Sequence, residues 1–223
     1  MNQIICTSST NVEIPNKKYI KKKYYKIVFY ILVFISFSFS IYYILYRNDL
    51  SKSEKLSEKL LKDYNLTSIY SSDTDYSVDL INREINLENY KDLSSSIIGI
   101  IKVKKLNIVY PILSEINNNY LKISPCRFYG PYPNEIGNVC IAAHNYKNET
   151  FFSNLSSLIN GDIITIYDTL GNNIDYIVYN VYTTNYKDTE CLNQNTNNSR
   201  VVTLVTCNSV DNYYRTIVKA KEL

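Results

Sequence analysis

The chain is 223 residues long, 45% hydrophobic and 20% charged, with a formal net charge of +3. That length carries one sizeable folded domain plus an accessory segment and argues against two large domains. The positive excess sits in Lys17, Lys18, Lys21, Lys22, Lys23 and Lys26; without it the balance is slightly acidic, which leaves no nucleic-acid footprint.

Residues 1–26 read as a short basic cytoplasmic tail. Residues 27–46, IVFYILVFISFSFSIYYILY, contain no charge, and about twenty such residues in a helix span a ~30 Å hydrocarbon layer. The lysines before the run keep the N-terminus cytoplasmic, and Tyr42, Tyr43 and Tyr46 suit an interfacial belt. A cleaved signal peptide is the alternative, but the run exceeds a usual signal-peptide core and lacks an Ala-x-Ala-like site at its end. The expectation is a single-pass membrane protein with everything after Arg47 outside the cell.

Residues 47–96 read as an extracytoplasmic stalk. Ser51–Tyr64 sets Leu56, Leu60 and Leu61 on one helical face, and a stretch rich in Ser, Asp and Asn follows. From Ile97 onward, short runs rich in Ile, Val and Tyr alternate with turn residues. The expected strands are 97–104, 107–113, 119–124, 138–143, 162–168, 174–184, 201–207 and 215–221. Eight runs over 97–223 fit a closed β-barrel, which removes exposed edges. One helix is expected over 149–159, with Phe151, Phe152, Leu155, Leu158 and Ile159 on one side and Gly161 as the stop. Gly161-Asp162 and Gly171-Asn172 read as turns, and the polar loop 186–200 reads as surface-lying and mobile.

The 23 tyrosines, with abundant Asn, Ile and Lys, reflect biased base composition better than a carbohydrate-binding surface. Five cysteines, Cys6, Cys126, Cys140, Cys191 and Cys207, leave four outside the cell. Their spacing contains no Cys-x-x-Cys element and so no zinc pattern; no metal or cofactor is expected, and disulfide pairing is not readable.

The chemistry concentrates at strand ends. The only histidine, His144, closes Asn138-Val-Cys-Ile-Ala-Ala-His144, and Cys207 closes Val201-Val-Thr-Leu-Val-Thr-Cys207. A thiolate attacks carbonyl carbon, and imidazole moves protons near neutral pH. Period-two geometry puts Val201, Thr203, Val205 and Cys207 on one face. Arg215 opens the last run and reaches back across the turn, where its fork of donors suits a carbonyl or oxyanion. Singly, each residue has a plain reading: a core cysteine, an ordinary histidine, a solvated arginine. It is the combination that points to a thiol enzyme.

Thr203-Leu-Val-Thr-Cys207 resembles the Thr-Leu-x-Thr-Cys signature of sortases, the membrane-anchored cysteine transpeptidases of Gram-positive bacteria. The run Gly137–Asn145, then Phe151-Phe-Ser-x-Leu155 and Gly161-Asp-Ile-Ile164, is similar to that family's histidine strand, helix and following strand. Arg215 falls where the family has its arginine. The resemblance covers residues 97–223 and implies a mainly β fold: an eight-stranded sortase-like β-barrel with one or two short helices, preceded by an N-terminal transmembrane helix.

It further implies that Cys207 attacks the Thr–Gly bond of an LPxTG-like sorting signal on a surface protein, forming a thioester that an amine of a peptidoglycan precursor resolves. His144 then serves as general acid and base, and Arg215 aligns the substrate; no Asp is needed to orient the histidine. Ala143 stands where glycine is common in the family. No lid motif or second membrane segment is evident, and SEINNN at 114–119 offers one carboxylate, Glu115, to a calcium ion; the subclass stays open. A papain-like enzyme would place cysteine before histidine, and a chymotrypsin-like one would want glycines around Cys207. The non-enzymatic alternative is an anchored β-domain for adhesion or assembly.

Overall fold

The computed structural model describes residues 17–63, 93–148 and 150–223. The expected tail lies outside the described residues over 1–16, as do the expected stalk over 64–92 and Glu149 of the expected helix.

Helix α1, Lys17–Asp63, runs through the apolar stretch. Its side chains from Tyr24 to Tyr46 are largely exposed, and the segment is long and apolar enough to cross a bilayer. A second compact unit begins at Leu50. Within it, the expected apolar face of the helix is real: Leu60 is buried and Leu56 half-buried, in one cluster with Leu93, Ile97, Leu113 and Cys126. This end of the helix packs on the folded domain, although its sequence reads as part of a stalk.

The domain is a closed barrel of eight strands: β1 Ile97–Val103, β2 Ile108–Leu113, β3 Cys126–Tyr129, β4 Gly137–Ala142, β5 Ile163–Asp168, β6 Asn173–Asn185, β7 Arg200–Cys207 and β8 Tyr214–Glu222. Around the barrel they run β1-β2-β3-β4-β7-β8-β6-β5, with β5 closing onto β1. Most neighbours are antiparallel; β4 and β7 are parallel, from Gly137 opposite Arg200 to Ala142 opposite Val205. A parallel pair cannot be joined by a hairpin, and here the connection contains all of β5 and β6.

Alternate residues fill the interior. Ile101, Ile112, Val139, Ile141, Ile164, Ile166, Val202, Leu204, Val218 and Ala220 form one core, with Phe151, Phe152, Leu155 and Leu158 against it. Burying a residue of the Leu, Ile or Phe size stabilises by about 1.5–3 kcal/mol relative to leaving it exposed. Positions such as Cys140, Thr203, Val205 and Cys207 therefore lie on the opposite face of their strands.

Two expected elements differ. Residues 119–124 do not form a strand: Asn118–Leu121 is one helical turn, capped by Asn117 Oδ1, which accepts from the backbone N–H groups of Asn119 (3.0 Å) and Tyr120 (2.8 Å). An Asn side chain that caps in this way outcompetes a weak β pattern, and the third strand is instead 126–129. The helix expected over 149–159 is reduced to a 3₁₀ turn, Leu155–Ser157. Phe151, at φ +51°, leaves the right-handed helical region altogether. Its buried side chain and those of Phe152, Leu155 and Leu158 still cover the barrel, whereas Ile159 is 63% exposed.

Candidate active site

The ends of β4, β7 and β8 meet at one rim of the barrel. Cys207 and Arg215 are directly paired in the antiparallel β7–β8 ladder, so their side chains leave the same face. On the other side of β7, Ala142 of β4 is level with Val205. His144 follows two residues beyond Ala142, the last β4 residue paired with β7. Two bonds hold this extension: the Ala143 N–H donates to the Val205 carbonyl (3.2 Å), and Thr206 Oγ1 donates to the Ala143 carbonyl (2.8 Å). Asn145 Nδ2 donates to the Cys207 carbonyl at 2.9 Å. The three residues singled out from the sequence are thus carried by three adjacent strand ends.

The four described thiols are free and their surroundings separate them. Burial pushes Cys126 and Cys140 up to about 12, and raises Cys191, so these behave as inert apolar residues. Cys207 alone is partly exposed. Access and a neighbouring cation are what a reactive thiol needs.

His144 is half-buried in an aromatic row. Its ring lies 4.9 Å from that of Tyr146; Tyr146 meets Phe151 edge-on at 5.5 Å, and Phe151 stacks on Tyr110 at 4.9 Å. The Phe151 N–H donates to Tyr110 Oη (3.1 Å), and the Phe152 N–H donates to the His144 carbonyl (3.1 Å). Burial, and after it the charge of Lys122, hold the imidazole below its ordinary range. A neutral ring at neutral pH can accept a proton at once.

Arg215 Nη1 donates to the carbonyls of Asn212 (2.7 Å) and Tyr214 (3.0 Å), and its Cζ lies 5.9 Å from the ring centre of Tyr186. These bonds fold the guanidinium over the β7–β8 turn. The turn is itself built by Asn208 Oδ1, which accepts from the N–H of Val210 at 2.9 Å.

The loop 186–199 crosses the outer surface and is tied down. Buried Asn138 donates from Nδ2 to the carbonyls of Cys191 (2.9 Å) and Asn193 (3.1 Å), and its Oδ1 accepts from Thr203 Oγ1 (2.8 Å). Gln194 completes the clamp by accepting from the Asn138 N–H (3.1 Å) and donating to its carbonyl (2.9 Å).

A family model described as a sortase domain matches residues 101–223. The chain belongs to the sortase family. Membership makes it a cysteine transpeptidase in general terms. Among solved structures, a Clostridium perfringens sortase D5 transpeptidase is 28% identical, with 78% of this chain and 99% of that chain covered and a TM-score of 0.54. Listeria monocytogenes sortase A is 18% identical, covering 57% of this chain and 88% of its own, at a TM-score of 0.53. Streptococcus pneumoniae sortase C is 20% identical, covering 74% and 89%, also at 0.53; these two likenesses are of fold. No curated protein matches the chain.

Sequence reading missed several residues that build this rim of the sortase barrel: Asn145, Thr206, Tyr146, Lys122 and the Asn138–Gln194 clamp. Only Asn145 and Thr206 carried a signal, as polar residues flanking the histidine and the cysteine. The others depend on contacts between segments far apart in the chain.

Proposed function

We propose that this sortase cleaves an LPxTG-like sorting signal and joins the released acyl group to an amine of a peptidoglycan precursor. Cys207 is the nucleophile, His144 the general acid and base, and Arg215 the group that aligns the substrate and stabilises the oxyanion. The observation that carries this reading is the Cys207–Arg215 ladder pair, flanked by the end of β4 that bears His144.

The neutral imidazole takes the thiol proton as sulfur attacks the Thr carbonyl. Charge develops on the carbonyl oxygen, where a guanidinium fork supplies donors. Collapse breaks the C–N bond, and the imidazolium returns its proton to the leaving glycine amine, leaving a thioester. The incoming amine attacks that thioester, gives a proton to His144, and the proton returns to sulfur as the C–S bond breaks. The thiol and the imidazole end as they began, and the acyl group has moved from the glycine amine to the incoming one.

The anchor belongs to the same proposal. Residues 27–46 cross the membrane once, with residues 1–26 cytoplasmic, 47–96 linking, and 97–223 forming the extracytoplasmic catalytic barrel. Surface proteins bearing sorting signals and the precursor amine are then the partners.

The test uses the full chain in detergent with a pool of LPxTG-like peptides and hydroxylamine. The expected products are a C-terminal peptide fragment and a hydroxamate, with Cys207→Ala inactive. Intact peptides across the pool, from a protein whose barrel is folded by circular dichroism, would move the assignment to an anchored adhesion or assembly domain.

A further inference from the structure

Tyr186 is the first residue after β6, and β6 pairs with β8 so that Thr184 faces Arg215 and Asn185 faces Tyr214. Two residues beyond Thr184, Tyr186 lies diagonally beside Arg215 on the same face, within reach of a large side chain. The backbone there is fixed: the Tyr186 N–H donates to the Tyr213 carbonyl at 2.9 Å. Its ring lies 6.1 Å from that of Tyr213, and two cations approach it, Lys187 Nζ at 5.7 Å and Arg215 Cζ at 5.9 Å.

An arginine side chain loses much of its rotamer freedom when it is held in one place. At Arg215 the carbonyls of Asn212 and Tyr214 occupy a single nitrogen, Nη1. Both bonds are exposed, one to the turn and one to the first residue of β8, so they compete with water and return little. A ring face within about 6 Å attracts the cation without occupying a donor. It leaves the rest of the guanidinium fork available for a substrate carbonyl.

We propose that Tyr186 is a positioning residue: its ring is the rest on which the Arg215 guanidinium is kept beside the Cys207 end of β7. This rests on the proposed role of Arg215. Tyr186 does not touch the reacting atoms; it acts by limiting where the cation goes. Its phenol oxygen has no part in this, since a ring face suffices.

The test reads the cation at the thiol without a substrate. Full-length protein in detergent is alkylated with anionic iodoacetate and, separately, with neutral iodoacetamide, and the rate at Cys207 is followed by peptide mapping. The ratio of the two rates rises when a positive charge lies beside the sulfur. The wild-type ratio is expected to exceed that of Arg215→Ala at least threefold. Tyr186→Phe should stay within twofold of wild type, and Tyr186→Ala should fall to the Arg215→Ala level. The same order is expected for hydroxylamine transfer, with the Phe variant active.

A wild-type ratio in Tyr186→Ala overturns the inference while leaving the role of Arg215 standing. An equal fall in Tyr186→Phe and Tyr186→Ala also overturns it, because the ring face is then insufficient. No difference between wild type and Arg215→Ala removes the cation from the thiol and overturns both readings together. Because Tyr186 is 46% exposed, its replacement leaves no core cavity to confuse the outcome.

Discussion

Asn145 Nδ2 donates a 2.9 Å hydrogen bond to the backbone carbonyl of Cys207. The residue after the histidine thus grips the residue that carries the thiol, across the junction of two parallel strands. This bond is the side-chain continuation of a ladder whose last pair is Ala142 with Val205.

Asn145→Ala should therefore loosen the alignment of His144 with Cys207 more than it loosens the fold. A partly buried bond of this kind contributes about 1 kcal/mol to stability, but small misplacements at a reacting centre cost far more in rate. The expectation is a melting temperature lowered by a few degrees and peptide transfer lowered at least tenfold, with KM little changed. Equal activity of Asn145→Ala and wild type would show that the backbone alone sets the geometry.

The single histidine gives the cleanest pH signature. Burial and Lys122 lower the pKa of His144 in the folded chain, whereas in the unfolded chain it sits near 6.5. As pH falls through 6.5 the unfolded state takes up a proton first, so stability declines; the loss is complete once pH is below the folded-state value. His144→Gln should flatten urea-midpoint against pH between 6.5 and that lower value. In a proton NMR titration, the imidazole midpoint should lie below 6.5 and move up in Lys122→Ala. A midpoint at or above 6.5 in the wild type would contradict the burial argument.

The loop clamp predicts a large effect away from the reacting groups. Asn138→Ala removes a donor from the buried Cys191 carbonyl and from the Asn193 carbonyl, and leaves Thr203 Oγ1 only its longer bond to the Cys191 carbonyl. Leaving buried groups unpaired costs about 1–3 kcal/mol. Chemical denaturation should show a loss in that range, and limited proteolysis should open first within 186–199. Gln194→Ala, at the more exposed end of the same clamp, should cost less.

Two glycines with the same φ of +84° separate steric from conformational cost. A Cβ at Gly130 would lie 2.0 Å from the Asn138 carbonyl oxygen, whereas at Gly171 nothing lies within 4 Å. Gly171→Ala meets only the left-handed penalty, about 1–2 kcal/mol. Gly130→Ala must also displace β4 backbone and should lose more than about 3 kcal/mol. Similar melting temperatures for the two variants would refute the close approach.

Much of the barrel was legible because period-two burial is a local signal. Seven of the expected runs, such as 201–207 and 215–221, coincide with strands to within two residues. The misread segments are those where a local polar group overrode the pattern. Asn117 capped a turn inside an apparently apolar run, and the phenylalanines of 151–152 bury from an irregular backbone. His144, Cys207 and Arg215 stand out in the sequence because each borders an apolar run and carries distinctive chemistry. Tyr186 and the Asn138–Gln194 clamp do not, because among 23 tyrosines and many asparagines nothing local marks the one that meets a distant partner.

The parallel seam between β4 and β7 also bears on the order in which the proposed centre is assembled. Its partners are 63 positions apart, Ala142 with Val205, so the chain must close a long loop before the seam returns any stabilisation. During synthesis, histidine emerges well ahead of cysteine, and arginine last. On the roles proposed above, a growing polypeptide therefore holds no complete set of the three groups until β8 has been made.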